Sequence, residues 1–259
     1  MSQRVLAWFS CGDASAAAAY MAIAKYGNAV EVCYCDTFAY EHPDNRRFLA
    51  DVERWFGRSV KILRSDEYSD IFDVFEKTRW LVGIGGARCT TELKKMVRVA
   101  YQRPDDLHVF GFTADEGNRV ERFRKENPDL FAEFPLFDGG ITKAMCHQMV
   151  RAAGIEIPAM YRLGYKNNNC IGCVKGGKGY WNKIRRDFPG HFDRMARMER
   201  KLNAAICKDE GVTDGKRWRK RLFLDELPPD AGRAEAEPDI ECGVLCIHET
   251  ENVLQTETA

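Results

Sequence analysis

Short apolar runs alternate with amphipathic stretches along the first 155 residues. Val5–Phe9 is uniformly apolar, and a Gly/Ser turn separates it from an alanine-rich helix predicted over Ser15–Tyr26. Val30–Cys35 reads as a second strand, ending at Asp36-Thr37. Asp44–Phe56 carries Phe48, Leu49, Val52, Trp55 and Phe56 at helical spacing. Ser59–Leu63 and Leu107–Gly111 read as third and fourth strands, and Thr91–Tyr101 and Thr142–Ala153 as further helices. Strands separated by helices predict an α/β fold, a parallel sheet flanked by helices. In such sheets ligands bind at the carboxyl ends of the strands, so Ser10–Ser15, Cys35–Thr37, Arg64–Ser65 and Phe112–Arg119 are expected on one edge.

The pattern changes near residue 155. Met160–Tyr180 is rich in glycine and asparagine, without an apolar period, before helices are predicted over Trp181–Phe188 and Phe192–Ile206. Phe192, Met195, Met198, Leu202 and Ile206 form a core stripe on the second of these. The expected organisation is an α/β nucleotide-binding region over 1–155, a helical cysteine-bearing region over 156–227, and a C-terminal segment over 228–259. Within that segment Pro228–Pro238 reads as a mobile linker and the residues from His248 as a solvated tail.

Thirty-nine basic residues balance thirty-nine acidic ones, which removes any global field toward nucleic acid or membrane. No run approaches a membrane span of roughly 18 apolar residues, and Val5–Phe9 is too short for a signal-peptide core, so a cytoplasmic protein is expected. There the ten cysteines would stay reduced. Cys11, Cys33, Cys35, Cys146 and Cys207 fall in apolar or helical positions and read as packing. Cys89, Cys170, Cys173, Cys242 and Cys246 fall in polar or Gly/Asn-rich surroundings, and their spacing suits soft metals, an iron–sulfur cluster or zinc. Asn167-Asn168-Asn169 and Gly176-Gly177 suit a tight loop around such a centre. Lys175–Arg186 interleaves basic residues with Tyr180 and Trp181, a composition used by single-stranded nucleic-acid grooves.

The strand–turn–helix at Phe9–Ser15 (FSCGDAS) has the anatomy of a phosphate cradle. Gly12 admits close backbone approach, Ser10 and Ser15 offer hydroxyls, and the helix start offers N–H groups. FSCGDAS resembles the modified PP-loop of the phosphoadenosine-phosphosulfate (PAPS) reductase family. Cys35-Asp36-Thr37 with HPDNRRFL, Arg88-Cys89 with Lys94, GFTADEGNRVERF, the Cys170-x-x-Cys173 pair and Glu241-Cys242-Gly243 resemble further motifs of that family in order.

The resemblance implies a nucleotide site of Ser10, Cys11, Gly12, Ser15, Asp36, Thr37, Arg64, Gly111, Arg119 and Arg122. Asp36 would meet the adenine or ribose, and the arginines would clamp phosphosulfate bidentately. It implies a [4Fe-4S] cluster on Cys89, Cys170 and Cys173, with Cys246 or Cys242 as the fourth ligand and zinc as the alternative. It further implies Cys242 as the nucleophile, tuned by Glu241 and His248 and reset by a dithiol carrier such as thioredoxin. The loop lacks the lysine of PP-loop ATP pyrophosphatases, which leans toward sulfonucleotide reduction. The alternatives are an iron–sulfur-dependent PP-loop sulfur transferase acting on tRNA or DNA, and a degenerate nucleic-acid-binding module.

Overall fold

The computed structural model describes residues 3–83, 86–237 and 240. They divide into two compact units, one drawn from residues 3–65 and 93–168, the other from 66–92 and 169–240.

The first unit is built on a five-stranded, all-parallel sheet. Its strands are β1 (Val5–Phe9), β2 (Val30–Cys35), β3 (Lys61–Leu63), β4 (Leu107–Val109) and β5 (Ala132–Glu133), in the order β3-β2-β1-β4-β5. Every residue of β1 is buried, as expected of a central parallel strand covered on both faces. Val5, Ala7 and Phe9 join one apolar cluster, which includes residues of α1 (Asp13–Tyr26), α2 (Asp44–Phe56) and a helix at Lys143–Ala152. Leu6 and Trp8 point the other way, into a cluster with Val97, Val120 and Phe123 from the helices at Met96–Tyr101 and Gly117–Glu126. The period-2 alternation of β1 thus feeds two cores, and the architecture is α/β with helices on both faces. Trp8 and His108 cross within the second core, the indole Nε1 donating to His108 Nδ1 at 2.9 Å.

The second unit adds α3 (Ile71–Thr78); the Met96–Tyr101, Gly117–Glu126 and Lys143–Ala152 helices of the first unit are α4, α5 and α6. After α6 come α7 (Lys178–Asp187) and α8 (Pro189–Leu202), then an antiparallel hairpin of β6 (Cys207–Thr213) and β7 (Lys216–Leu222). Trp181, Ile184, Met195 and Leu224 are its fully enclosed apolar anchors. The expected stripe on α8 holds for Phe192, Met195, Met198 and Leu202. Ile206 lies beyond the helix, which stops where Asn203 turns left-handed at φ 51°.

Thr91–Tyr101, expected as one helix, begins as a π turn over Thr91–Lys95 before α4. The segment expected to be a mobile linker is instead fastened. Glu237 accepts from the N–H groups of Gly177 (2.9 Å), Gly179 (2.6 Å) and Tyr180 (3.3 Å), capping the start of α7 with a carboxylate. Gly179 permits this: a Cβ there would lie 2.5 Å from the Ala234 nitrogen. Among the described residues no helix is long and apolar enough to cross a membrane.

Candidate functional site

The order β3-β2-β1-β4-β5 places the topological switch between β1 and β4, because successive crossovers run outward from β1 in one direction and from β4 in the other. A crevice at the carboxyl ends of these two strands is where an open parallel sheet takes its ligand. Ser10-Cys11-Gly12 follows β1 there and leads directly into α1, which starts at Asp13 rather than at the predicted Ser15. Gly111, two residues past β4, comes against the same helix start. A Cβ on it would lie 2.7 Å from Ser15 Cα, 2.8 Å from Ser15 N and 2.9 Å from Ala14 C. Only glycine allows that approach of two backbones.

The loop is held by its own side chains. Ser15 Oγ accepts from the Ser10 N–H at 3.0 Å, donates to the Gly12 carbonyl at 2.8 Å, and lies 3.2 Å from Ser10 Oγ. Cys11 adopts φ 55° with its side chain enclosed. Burial, aided by the Glu41 charge, pushes its thiol well above the usual range, so it stays protonated at neutral pH. The Lys94 charge opposes that shift, so a lysine outside the loop reaches the neighbourhood that lacks one within it.

Asp13, 1% exposed in the first turn of α1, pairs through Oδ2 with His147 Nδ1 of α6, while its Oδ1 has no partner among the described residues. Burial raises the Asp13 carboxyl, and the His147 contact works against the rise. The Tyr161 hydroxyl would lie 3.2 Å from a Cβ on Gly12 and faces the backbone N–H groups of Asp13 and Asn168; burial raises its phenol.

A buried polar chain ties the end of β2 to this loop. Thr37 Oγ1 donates to Glu41 Oε1 at 2.6 Å, and Asn45 Nδ2 donates to Glu41 Oε2 at 2.6 Å. Asn168 Nδ2 then donates to Asn45 Oδ1 at 2.8 Å and to the Cys11 carbonyl at 2.6 Å. Thr37 was singled out in the sequence; Glu41, Asn45, Asp13, His147, Tyr161 and Asn168 were not. A buried polar residue at a helix start leaves no periodic signal, and Asn168 was absorbed into an asparagine-rich run read as a metal loop.

Asp36 and Arg64 engage each other, with Arg64 Nε 2.9 Å from Asp36 Oδ2, while Asp36 Oδ1 accepts from the Phe38 N–H at 3.2 Å. Arg119 lies on α5, bonded to Glu116 Oε1 at 2.6 Å and stacked 4.3 Å from the Phe112 ring centroid. Arg122, one turn on, is exposed. Ser10, Cys11, Gly12, Ser15 and Gly111 therefore meet at one helix start, and Thr37 is bonded to them through side chains.

In the second unit Cys170 and Cys173 flank a turn organised by Tyr180. Its hydroxyl accepts from the Gly172 (3.1 Å) and Cys173 (2.9 Å) N–H groups and donates to the Cys170 carbonyl at 3.2 Å. Trp181 is fully enclosed and packs on Gly172, whose φ is 76°. Tyr180 and Trp181 are therefore interior groups that shape the cysteine turn, and Lys175–Arg186 offers no stacking surface of the kind its composition suggested. Cys89 sits on a one-turn helix, Arg88–Thr90. Among the described residues no three Cys, His, Asp or Glu side chains gather as a metal-holding group. Glu241, Cys242, Cys246 and His248 lie outside the described residues.

No family model matches the chain. No curated protein matches it either.

Proposed function

We propose that the chain binds an adenine nucleotide or sulfonucleotide across the switch between β1 and β4 and acts as a PAPS reductase-like, thiol-dependent enzyme. The observation that carries the binding half is the backbone approach of Gly111 to Ala14-Ser15 at the start of α1. It leaves N–H groups and a helix dipole, rather than a lysine, to meet phosphate. Arg119 and Arg122 supply guanidinium charge on α5, the helix that follows the strand-end segment holding Gly111, and Lys94 adds charge near Cys11.

The chemical half rests on the resemblance of Glu241-Cys242-Gly243. The Cys242 thiolate would attack the sulfate sulfur, forming an S–S bond while the sulfur–oxygen bond to the nucleotide phosphate breaks. The nucleotide phosphate leaves with the electron pair, and an S-sulfocysteine remains. One thiol of an external dithiol carrier then attacks Cys242 Sγ and releases sulfite. The carrier's second thiol resolves the mixed disulfide, returning Cys242 as a thiol. Sulfur goes from +6 to +4, balanced by oxidation of the carrier dithiol to a disulfide. Cys89, Cys170 and Cys173 are thiolate donors suited to a soft metal, but the described residues assemble no metal group, and no step is routed through one.

The test is sulfite release from an adenylyl sulfonucleotide with reduced thioredoxin, alongside nucleotide-induced thermal stabilisation. Cys242→Ser should abolish sulfite release and keep the stabilisation. Full turnover in that variant would sink the thiolate route. Absence of any stabilisation by adenine nucleotides in the wild type would sink the site itself.

A further inference from the structure

The hairpin of β6 and β7 covers no core. Apart from Cys207 and Leu222 at its base, none of its residues is buried, and Lys216–Arg221 is exposed throughout. An isolated two-stranded hairpin is marginal in water, so this one is not explained by apolar burial. Five of the six residues Lys216-Arg217-Trp218-Arg219-Lys220-Arg221 are cationic, in a chain whose charges sum to zero.

The register assigns these charges to both faces. Residues directly opposite share a face. Arg217, Arg219 and Arg221 therefore lie with Val212, Glu210 and Lys208 on one side, and Lys216, Trp218 and Lys220 with Thr213, Gly211 and Asp209 on the other. The acids are already matched: Glu210 by Arg219 at 3.0 Å, and Asp209 by Lys178 at 3.3 Å and Lys220 at 3.4 Å. Among the described residues no ion pair engages Lys208, Lys216 or Arg217. Trp218 is fixed on the face that it shares with Lys216. Its Nε1 donates to Thr213 Oγ1 at 3.1 Å, and its ring lies so close to Gly211 that a Cβ there would sit 2.7 Å away.

We propose that this hairpin is a duplex-DNA-binding arm that enters the major groove, its two charged faces meeting phosphates on the two groove walls. The B-form major groove, about 12 Å wide, admits a two-stranded ribbon. Cations on both faces suit a slot walled by phosphate on either side. An anionic membrane would call for one charged face, and the deep, narrow major groove of A-form RNA does not admit side chains. Trp218 brings an apolar edge of the kind that meets thymine methyl groups. The proposal stands apart from the nucleotide site and does not depend on it.

The experiment is fluorescence anisotropy of the full chain with a labelled, mixed-sequence DNA duplex of about 20 base pairs over a salt series. Four phosphate contacts would give a log–log salt slope near −4, a loss of roughly a hundredfold in affinity from about 50 to about 200 mM salt. The triple variant Lys208→Ser, Lys216→Ser, Arg217→Ser should bind at least about tenfold more weakly at the lower salt, its slope shallower by about 3. Arg217→Lys with Arg219→Lys should keep both affinity and slope. Duplex binding that is absent in the wild type, or unchanged in the triple variant, would overturn the proposal. So would loss of binding in the lysine variant, or tighter binding to single-stranded DNA, RNA duplex or phosphatidylserine vesicles than to duplex DNA.

Discussion

Replacing Gly111 by alanine tests the geometry on which the candidate site rests. The added methyl carbon would approach Ser15 Cα, Ser15 N and Ala14 C to within 2.7–2.9 Å. All three are backbone atoms at the start of α1, so no side-chain rotation relieves the contact. The end of β4 and the helix start must separate, at a cost of about 1–3 kcal/mol for overpacking of this kind. For a chain of this length that corresponds to a fall in Tm of roughly 3–10 °C. Gly190→Ala is the matched control: nothing lies within 4 Å of its added carbon, it sits in the first turn of α8, and it should be neutral or stabilising by up to about 1 kcal/mol.

The functional arm of the same experiment is nucleotide-induced stabilisation, worth about 2.7 kcal/mol at a ligand concentration of 100 Kd. Gly111→Ala should lose most of it, because the displaced helix start no longer presents its N–H groups to the crevice. A variant as stable as wild type would show that the two backbones are not in forced contact. A destabilised variant that keeps the full nucleotide response would move the nucleotide away from the β1–β4 switch.

Other consequences follow from buried polar groups. His147→Gln removes the partner of a buried Asp13 and should cost about 3 kcal/mol at pH 7. The Asp13 carboxyl is already raised by burial, so the deficit should be largest at neutral pH and shrink as pH falls toward the unfolded carboxylate value of about 3.9; a pH-independent deficit in urea midpoints would refute the cause. Burial depresses His108 to about 4 from 6.5, so its contribution is present above pH 6.5 and is lost as pH falls through 4, by about 3 kcal/mol at most. Chemical denaturation at several pH values should show that slope in the wild type and its loss in His108→Gln. Glu237→Ala uncaps α7, and loss of about 1 kcal/mol of capping should speed tryptic cleavage at Arg233 about fivefold; an unchanged cleavage rate would mean the 228–237 segment is held by other contacts.

Elements with a strong apolar period were legible in the sequence, to the residue for β2 and α2. Their boundaries drifted where the backbone, not the pattern, decides. The Leu107–Gly111 run pairs only over Leu107–Val109, because its last residue is a glycine committed to α1. The Ser59–Leu63 run pairs only from Lys61. Ala132–Glu133 is two residues long and had no pattern to show. The β6–β7 hairpin was missed because it has no buried face and hence no alternation of apolar and polar residues. Its one local signal is Asp214-Gly215, with φ of 51° and 74°, the paired left-handed conformation of a tight hairpin turn. Without an apolar alternation beside it, that dipeptide reads as an ordinary loop. The same reasoning explains Tyr180 and Trp181: composition placed them in a basic surface patch, whereas their bulk is what the tight turn around Gly172 packs upon.

The hydroxyls counted from sequence as phosphate ligands are occupied in holding the loop. Ser15 is committed to Ser10 and the Gly12 carbonyl, and Asn168 to the Cys11 carbonyl. The Tyr161 hydroxyl lies beside the same helix start, 3.2 Å from where a Cβ on Gly12 would be. A phosphate at this helix start would thus be met chiefly by backbone N–H groups whose positions are fixed before it arrives. That arrangement puts specificity into loop shape rather than into any one hydroxyl. It is the reason a glycine just past a neighbouring strand, with no side chain to contribute, is the residue on which the candidate site most depends.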